Sequence, residues 1–445
     1  MEGSEKGSNG DSKFDSLEEA LNRLGDFAGI SDLQKRRKAL KLLNSIFKEW
    51  VKYEYGKKKR TKSDPTYRKL LLPYGSYRLG VCSEDDDIDT ALVVPIWISK
   101  KAYFTLFAEM LRVQDSVTYT NLVRNYGSLL MRAKIMGIKF DIVLIRLMKA
   151  NVPGNFNVYN LTPRAVKKIA IKPKRFGGIL TASFILDIVY SKHVFRKALK
   201  AIRLWAKSCG IYSNTFKYFN GISLAIMTCR ICMFYPVESA EMIVYHFMRI
   251  YSQWDWREQV RITASYRHYS ATPRISVGGL GIKNNVDTLS HVSQDRMKII
   301  CQMIKDCGLN RVLEIKKHNL PWSHLFERKT FFHTYPYYFA ISFFYSSEAV
   351  LDRLRPLFEI FVRDKSKMYE EKASVKFVHV NCNSYCERIG KDQKPSIRTW
   401  FIGIEFVKTE DYFVDTEEDQ VSGCETRIRS FKGSQIADYL PPELQ

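Results

Sequence analysis

The sequence predicts a multi-domain α+β protein, and three changes of pattern along the chain predict it. Short strands dominate residues 70–147, a mostly helical stretch covers 180–330, and strands and helices alternate again from residue 333. A length of 445 residues is enough for roughly three domains. The content of 45% hydrophobic and 26% charged residues is typical of globular proteins, which excludes a wholly disordered, collagenous or membrane-embedded chain.

The expected domain boundaries follow these changes of pattern. Residues 1–15 are rich in Gly, Ser and charged residues, and we expect them to form a disordered tail. An α/β domain is expected over 16–160, with N-terminal helices that are able to pack on the next domain. A helical domain follows over 161–332, and a strand–helix domain over 333–445.

Two helices are predicted before the first strands. Ser16 and Glu19 have the spacing of a capping box. A second helix begins near Ser31 and places large apolar side chains at helical spacing, namely Leu40, Leu43, Phe47 and Trp50. Its other face is basic and consists of Lys35, Arg36, Arg37, Lys38 and Lys41. The GKKKRTK run that follows (56–62) is either a solvated turn or a nuclear-import signal.

Runs of apolar and β-branched residues predict the strands of the first domain at 88–95, 129–136 and 138–147, with a helix at 101–111. In the last domain we predict strands at 335–345, 374–380 and 397–407 and a helix at 347–363, which Pro356 is expected to kink. The strand at 397–407 places four apolar residues on one face at a period of two: Trp400, Ile402, Ile404 and Phe406.

Charge is the unusual feature of the composition. The chain has 70 Lys and Arg against 47 Asp and Glu, a net charge of +23, which favours a polyanion and first of all a nucleic acid as partner. A solvated basic surface with no ligand is the alternative. The 9 cysteines are an odd number at irregular spacing, so we expect a reducing, intracellular compartment. No stretch reaches the roughly 18 uninterrupted apolar residues of a membrane span, so we expect no membrane partner. Cys229 and Cys232 form a CxxC within an apolar run, which favours helix packing over a zinc site.

An acidic segment, Glu84–Asp89, precedes a buried strand. Asp87 and Asp89 are two residues apart at its start, so both carboxylates point to one side of the sheet. Asp141 lies amid apolar residues of another predicted strand, where a charge needs a partner. If the two strands are neighbours, three carboxylates converge, and hard oxygen ligands of this kind suit magnesium.

A Gly75–Ser76 turn lies about a dozen residues before these aspartates. Backbone amides and a serine hydroxyl at such a turn are able to contact a triphosphate beside its metal ion. A predicted helix over 195–209 adds a row of four cations: Arg196, Lys200, Arg203 and Lys207. By itself, this row of cations indicates a solvated helix face. Beside a triphosphate, the same row is able to act as an electrostatic clamp. The combination indicates nucleotidyl transfer.

These segments resemble the eukaryotic nuclear-type poly(A) polymerases, of the DNA polymerase β-like nucleotidyltransferase superfamily. The resemblance lies in YGSYRLGV (74–81), DDDIDTALVV (85–94), KIMGIKFDIVLIRL (134–147), VFRKALKAIRLWAKSCGIYSN (194–214), LFERKTFFHTYPYYFAI (325–341) and WFIGIEFVK (400–408). It implies a nucleotidyltransferase domain, a helical central domain and an RRM-like C-terminal domain. The last of these lacks the usual RNP1 aromatic pattern, so weakly sequence-specific RNA binding is expected there.

The resemblance also implies the site and the reaction. It implies catalytic, metal-binding roles for Asp87, Asp89 and Asp141. It implies ATP-binding roles for Tyr74, Gly75, Ser76, Arg203, Tyr212, Asn214, Asn220 and Gly221. The implied activity is template-independent addition of AMP from ATP to RNA 3′ ends, with Mg²⁺ as cofactor and Mn²⁺ as its substitute. Implied partners are cleavage and polyadenylation proteins, and a monomeric enzyme in the nucleus is expected.

Three departures from the family pattern keep alternatives open. Arg203 stands where the family usually has a lysine, Asn220 replaces one of two glycines, and Glu84–Asp86 replace small residues. A terminal transferase that uses another nucleotide, such as a uridylyltransferase, therefore remains an alternative. A non-catalytic RNA-binding subunit is a further one, although all three acids are present.

Overall fold

The computed structural model describes residues 15–57, 71–123, 130–148, 159, 161, 163–262, 275–276, 294–328, 331–388, 396–408 and 418–440. Residues 1–14 of the predicted tail and most of the basic run at 56–62 lie outside these ranges. Within the described ranges, every helix is too short or too polar to cross a lipid bilayer.

The first part of the chain forms a mixed sheet with helices. Its elements are α1 (Leu17–Leu24), α2 (Ile30–Lys57), β1 (Leu71–Pro73), α3 (Gly75–Leu79), β2 (Ile88–Val94), α4 (Lys100–Ala102), a π-helical turn (Tyr103–Phe107), α5 (Ala108–Arg112), β3 (Val117–Val123), β4 (Leu130–Ile135) and β5 (Ile138–Arg146). The strand order is β1-β2-β5-β4-β3. Strands β2 and β5 are parallel, and the other neighbours are antiparallel. Because β2 lies inside the sheet, between β1 and β5, almost all of its side chains are buried.

The two N-terminal helices pack on different cores. Ser16 caps α1 with the predicted capping box, in which the Glu19 amide donates to Ser16 Oγ at 3.2 Å. Leu17 of α1 belongs to the core of the central helices. In contrast, α2 buries Phe47 and Trp50 completely in the core of the first sheet. The first sheet and the central helices are therefore bridged by the N-terminal segment.

The central region is helical. It contains α6 (Pro163–Ile169), α7 (Gly177–Ile188), α8 (Lys192–Ser208), α9 (Gly221–Phe234), α10 (Ala240–Tyr251), the short strands β6 (Val260–Arg261) and β7 (Ile275–Ser276), α11 (Gln294–Met303), a π-helical segment (Ile304–Asn310) and α12 (Arg311–His318). Cys229 and Cys232 are buried inside α9, which is where helix packing places them. All nine cysteines are described, and none of them forms a disulfide.

The C-terminal part is an antiparallel sheet with one long helix. It consists of β8 (Tyr337–Tyr345), α13 (Glu348–Glu370), β9 (Val375–Arg388), β10 (Ser396–Phe406), β11 (Glu418–Val421) and β12 (Cys424–Lys432), in the order β11-β12-β8-β10-β9. Pro356 lies inside α13 without ending it. The four residues predicted for one face of β10 are all buried, as expected.

The rings on the central strands of this sheet are not exposed. Tyr338 and Phe339 of β8 and Trp400 and Phe401 of β10 are at most 2% exposed. A 3-10 turn (Gly433–Tyr439) contributes Ile436 to the small core on one face of the sheet. These rings stabilise the domain and offer no platform on which RNA bases are able to stack.

Candidate active site

The pairing of two strands brings the predicted aspartates together. Strands β2 and β5 run parallel, and Asp89 and Asp141 are direct neighbours in their register. Asp87 lies two residues before Asp89, so its side chain leaves the chain on the same side. Asp89 and Asp141, which are 52 positions apart in the sequence, therefore lie side by side on neighbouring strands.

The electrostatics of the three carboxylates confirm that they are close. Burial and the charges of Asp141 and Asp86 raise the pKa of Asp87 to about 6. Burial together with the charges of Asp87 and Asp141 raises the pKa of Asp89 to about 7. Burial also raises the pKa of Asp141, but the Arg132 guanidinium opposes this rise. Each carboxylate thus disfavours the ionisation of its neighbours, and a cation among them would relieve the repulsion.

The three carboxylates are suitable ligands for magnesium, although their oxygen atoms do not converge on one point in this structure. Three half-buried carboxylates offer the hard oxygen atoms that magnesium prefers. As placed, however, no three Asp, Glu, His or Cys side chains among the described residues are close enough to hold one metal ion. Asp141 is instead bound to Arg132 of β4, with 3.2 Å between Asp141 Oδ1 and Arg132 Nε. The expected convergence is present in the strands, and side-chain movement would have to complete it.

The glycine–serine turn lies directly against these carboxylates. Gly75 has a φ of +64°, and a Cβ atom at this position would overlap the Asp89 carboxylate. The Tyr74 amide donates to the Asp89 carbonyl oxygen at 2.9 Å. Burial and the three aspartates raise the pKa of the Tyr74 hydroxyl, so this hydroxyl stays protonated. Ser76 follows in the first turn of α3 and is half-buried.

The acidic loop before Asp87 is held by a fully buried arginine. Arg36 of α2 is 0% exposed and donates to the carbonyl oxygens of Ser83, at 3.0 Å, and Asp86, at 2.7 Å. The Glu84 carbonyl oxygen accepts from the same guanidinium, whose Nε is bound to Asp32. Arg36 was expected on the basic outer face of α2, and this expectation is wrong. The reason is that the loop folds back over this helix and its carbonyl groups need a donor.

Arg203 of α8 holds the same loop from the central region. Its side chain is 3% exposed, donates to the Val81 carbonyl oxygen, and forms an ion pair with Asp86 at 3.0 Å. The guanidinium also lies 5.8 Å from the centre of the Tyr212 ring. Direct contact of Arg203 with a phosphate therefore stays a prediction, and it would require Asp86 to release the guanidinium.

The other cations of the predicted row on α8 are largely engaged as well. Arg196 donates to the Leu79 carbonyl oxygen at 2.8 Å, and Lys207 binds Asp26 at 2.8 Å. Lys200 lies 4.9 Å from the centre of the Phe27 ring, and burial lowers its pKa. The row mainly joins the central helices to the first sheet, rather than forming an open basic face.

The remaining predicted nucleotide contacts form one cluster. The Tyr212 hydroxyl is close to Gly221, where a Cβ atom would lie 3.0 Å from it. Asn220 caps α9 by accepting from the Ser223 amide at 2.9 Å, and it donates to Asn214 Oδ1 at 3.2 Å. Arg203 connects this cluster to Asp86 and hence to the aspartates.

Two functional arginines were missed in the sequence. Arg36 lies in a run of four basic residues (35–38), and only Asp32, four residues earlier, hinted at its ion pair. Arg132 pairs with Asp141 across β4 and β5, in register with it. The predicted strands on either side of Gly137 would pair Asp141 with Ala133. The turn instead contains both Met136 and Gly137, so the register is shifted by one residue and Arg132 faces Asp141.

Comparisons with known proteins find similar sequences. The family model described as the poly(A) polymerase nucleotidyltransferase domain matches residues 8–162, and the one for the poly(A) polymerase central domain matches residues 194–277. The poly(A) polymerase pla1 of Schizosaccharomyces pombe is 30% identical over 332 residues, which are 71% of this chain and 58% of the relative. The poly(A) polymerase PAPalpha of Candida albicans is 28% identical over 345 residues, 74% of this chain and 61% of that relative.

A solved structure shares the fold. A mutant of the Cid1 poly(U) polymerase bound to MgATP is 13% identical and superposes with a TM-score of 0.50. The match covers 70% of this chain and 98% of that one. At this identity the similarity concerns the fold alone. The chain spans about three fifths of the length of the curated relatives described above.

Proposed function

Because the chain belongs to the poly(A) polymerase family, we propose that it is a template-independent polynucleotide adenylyltransferase, which adds AMP from ATP to RNA 3′ ends. The net charge of +23 supports a polyanionic substrate. The observation that carries the proposal is the contact between Gly75 and Asp89, which lies opposite Asp141. In this arrangement the Gly75 turn, which we propose contacts the triphosphate, lies directly beside carboxylates that suit a metal ion.

The proposed reaction is one phosphoryl transfer per nucleotide added. The 3′ oxygen of the RNA attacks the α-phosphorus of ATP, and a new phosphodiester bond forms. The bond from the α-phosphorus to the bridging oxygen breaks, and pyrophosphate leaves with its electron pair. The proton of the attacking hydroxyl passes to solvent. Such a reaction requires mainly positioning of the reactants and neutralisation of charge.

The chain's own residues supply this positioning. Asp87 and Asp89 would hold two magnesium ions, and Asp141 would complete the coordination of one of them. When bound, magnesium lowers the pKa of the attacking hydroxyl and neutralises charge on the phosphates. Because Gly75 has no side chain, the backbone of the turn approaches the Asp89 carboxylate closely. The amides of this turn would contact the triphosphate. Asp141 is bound to Arg132, so it has to exchange this arginine for the ion.

Magnesium binding should weaken as the pH falls, because protons compete for the same oxygen atoms. With pKa values of about 7 for Asp89 and about 6 for Asp87, about a tenth of Asp89 and about half of Asp87 are ionised near pH 6. Since only the ionised carboxylates ligate the ion, we expect the magnesium affinity to be about twentyfold lower at about pH 6 than at about pH 8. Isothermal titration calorimetry of the nucleotide-free protein at both pH values measures this change.

Asp85→Asn is the matched control for this pH dependence. Asp85 is an exposed carboxylate of the same loop, so its loss should leave the pH dependence as in the wild type. Equal magnesium affinity of the wild type at both pH values would contradict the assignment of Asp87 and Asp89 as ligands.

The nucleotide is selected by residues that depart from the family pattern. Asn220 binds Asn214, one of the proposed nucleotide contacts, and Asp86 binds Arg203. This altered surrounding supports, as a second candidate, a terminal transferase that uses a nucleotide other than ATP. The two candidates share the aspartates and differ in the base that they accept.

Extension of a short RNA with each of the four NTPs separately distinguishes the candidates. We expect ATP to give a rate at least about tenfold above the other three, a difference of about 1.4 kcal/mol in transition-state binding. A faster reaction with UTP would assign the chain to the second candidate. RNA binding without extension by any NTP would instead indicate a non-catalytic subunit.

The cellular setting belongs to the same proposal. We infer a nuclear, monomeric enzyme that works with cleavage and polyadenylation proteins and uses Mg²⁺, with Mn²⁺ able to replace it. This inference rests on membership of the family. The basic run at 56–62, its other support, lies mostly outside the described residues.

A further inference from the structure

A cavity of about 160 Å³ lies between the central helices and the C-terminal sheet. The end of α8 forms one wall, with Ser208 and Gly210, and β9 forms the opposite wall, from His379 to Tyr385. The segment from Phe331 to Tyr335, between the two regions, forms the third wall. None of these residues takes part in the site described above.

The aromatic wall of the cavity is built by close packing. Tyr335 lies on Gly403 of β10, where any Cβ atom would overlap its ring. Its hydroxyl is hydrogen-bonded to His379 Nδ1 at 2.5 Å. Phe331 packs against both rings, with centroids 5.5 Å from Tyr335 and 5.1 Å from His379. The orientation of these rings is therefore fixed before any ligand binds.

Polar groups and a cation complete the lining. Asn381 Nδ2 donates to the Tyr385 hydroxyl at 3.0 Å, and Asn381 Oδ1 accepts from the Asn383 amide at 3.0 Å. Asn383 and Arg328 are exposed at the mouth of the cavity. Arg328 is close enough to Tyr385 to oppose the rise in its pKa that burial causes. The cavity thus has ring faces inside and a positive charge at its entrance.

Size and chemistry together select a ligand. An engineered apolar cavity of ~150 Å³ takes a benzene ring, so about 160 Å³ is enough for one aromatic ring system. Ring faces stack on bases, amide groups bond base edges, and arginine binds phosphate, which is how proteins recognise single-stranded RNA. We propose that this cavity binds one base of the RNA substrate, upstream of its 3′ end, with the backbone phosphate at Arg328.

The position of the cavity suits the substrate of the proposed function, on which this inference rests. Helix α8 connects the two sites, because Arg203 pairs with Asp86 and Ser208 lies in the cavity wall. Five residues of helix separate them by roughly 8 Å along the axis. The aromatic residues of β8 and β10 are buried, except for the half-buried Phe344, so the cavity offers a stacking surface that these strands mostly lack.

Affinity for RNA tests the proposal without requiring catalysis. Fluorescence anisotropy of a labelled oligo(A) RNA, without ATP or metal ions, gives the dissociation constant. Phe331→Leu removes the ring but keeps apolar volume, and we expect about tenfold weaker binding. Asn383 is exposed, so the Asn383→Ala variant should fold normally. We expect it to bind RNA a few fold more weakly. Tyr190→Leu, which removes a ring that is 78% exposed and outside the cavity, should bind as the wild type does.

Photo-crosslinking identifies the occupant directly. An RNA with 4-thiouridine at one internal position should crosslink to the peptides that contain Phe331–Tyr335 or His379–Tyr385. Wild-type affinity in both cavity variants, or crosslinks only elsewhere, would overturn the proposal while the NTP extension test still stands. If the wild type binds RNA but extends it with none of the four NTPs, the proposed activity is refuted, whereas the proposed base site is unaffected.

Discussion

Replacing Asp89 by asparagine should abolish nucleotide addition while RNA binding persists. Asp89 is the carboxylate that contacts the Gly75 turn and neighbours Asp141, so it is central to the proposed metal site. Loss of metal stabilisation of the transition state costs several kcal/mol. Because each 1.36 kcal/mol is a factor of ten in rate, we expect extension to fall by about a thousandfold or more.

The variant should fold, and this separates chemistry from stability. Burial and the charges of Asp87 and Asp141 raise the pKa of Asp89 to about 7, so asparagine removes an unfavourable charge and the melting temperature should not fall. Asp85→Asn changes an exposed carboxylate of the same loop and should keep wild-type activity. Extension assays, melting curves and RNA-binding titrations of both variants provide the comparison. Near-normal extension by Asp89→Asn would refute the catalytic assignment.

Replacing Arg36 by alanine should have the largest effect on stability. The buried guanidinium donates to three carbonyl groups of the acidic loop and is bound to Asp32. Its loss leaves these groups without their donor and Asp32 without its cation, at a cost of about 3–5 kcal/mol in the free energy of unfolding. Urea denaturation at neutral pH measures this change.

Activity should fall in the same variant, because the loop leads directly into Asp87. A displacement of about 1 Å at a catalytic group costs about a hundredfold in rate. Arg36→Lys keeps the charge but loses the planar fork, so an intermediate loss of stability is expected. Lys38→Ala, on the exposed side of the same helix, should change stability by about 0.5 kcal/mol or less. Equal stability of Arg36→Ala and Lys38→Ala would contradict this role.

Two arginines bind the acidic segment, and a metal ion is proposed to bind two of its carboxylates. From the sequence, the repulsion among Glu84–Asp89 called for a divalent cation. In the structure Asp86 is neutralised by Arg203, and Arg36 binds the backbone of the loop. Burial and neighbouring carboxylates raise the pKa of Asp87 to about 6 and that of Asp89 to about 7, although Arg132 opposes the rise at Asp87. The arginines hold the loop, and we propose that Asp87 and Asp89 are the acids that bind a metal ion.

Local patterns predicted the long elements of the fold well. The capping box of α1, strands β2, β4 and β5 and the apolar face of β10 are where periodicity predicted them. Of the strands in the two five-stranded sheets, β1, β3, β11 and β12 were not predicted. Strands β1 and β11 are only three and four residues long, too short for a periodic signal. The helix predicted over 347–363 continues past Pro356 to Glu370.

The sequence by itself determined which carboxylates stand at the start of a strand, which turn lacks a side chain, and which net charge the chain carries. These properties are local or additive, so they can be read without coordinates. The tertiary structure alone decided which charges neutralise one another. Arg36, Arg132 and Arg203 look alike as cations in the sequence. In the structure Arg36 binds carbonyl groups, Arg132 binds Asp141 and Arg203 binds Asp86. Pairing depends on distances of a few ångströms between segments far apart in the chain, and no sequence spacing encodes these distances.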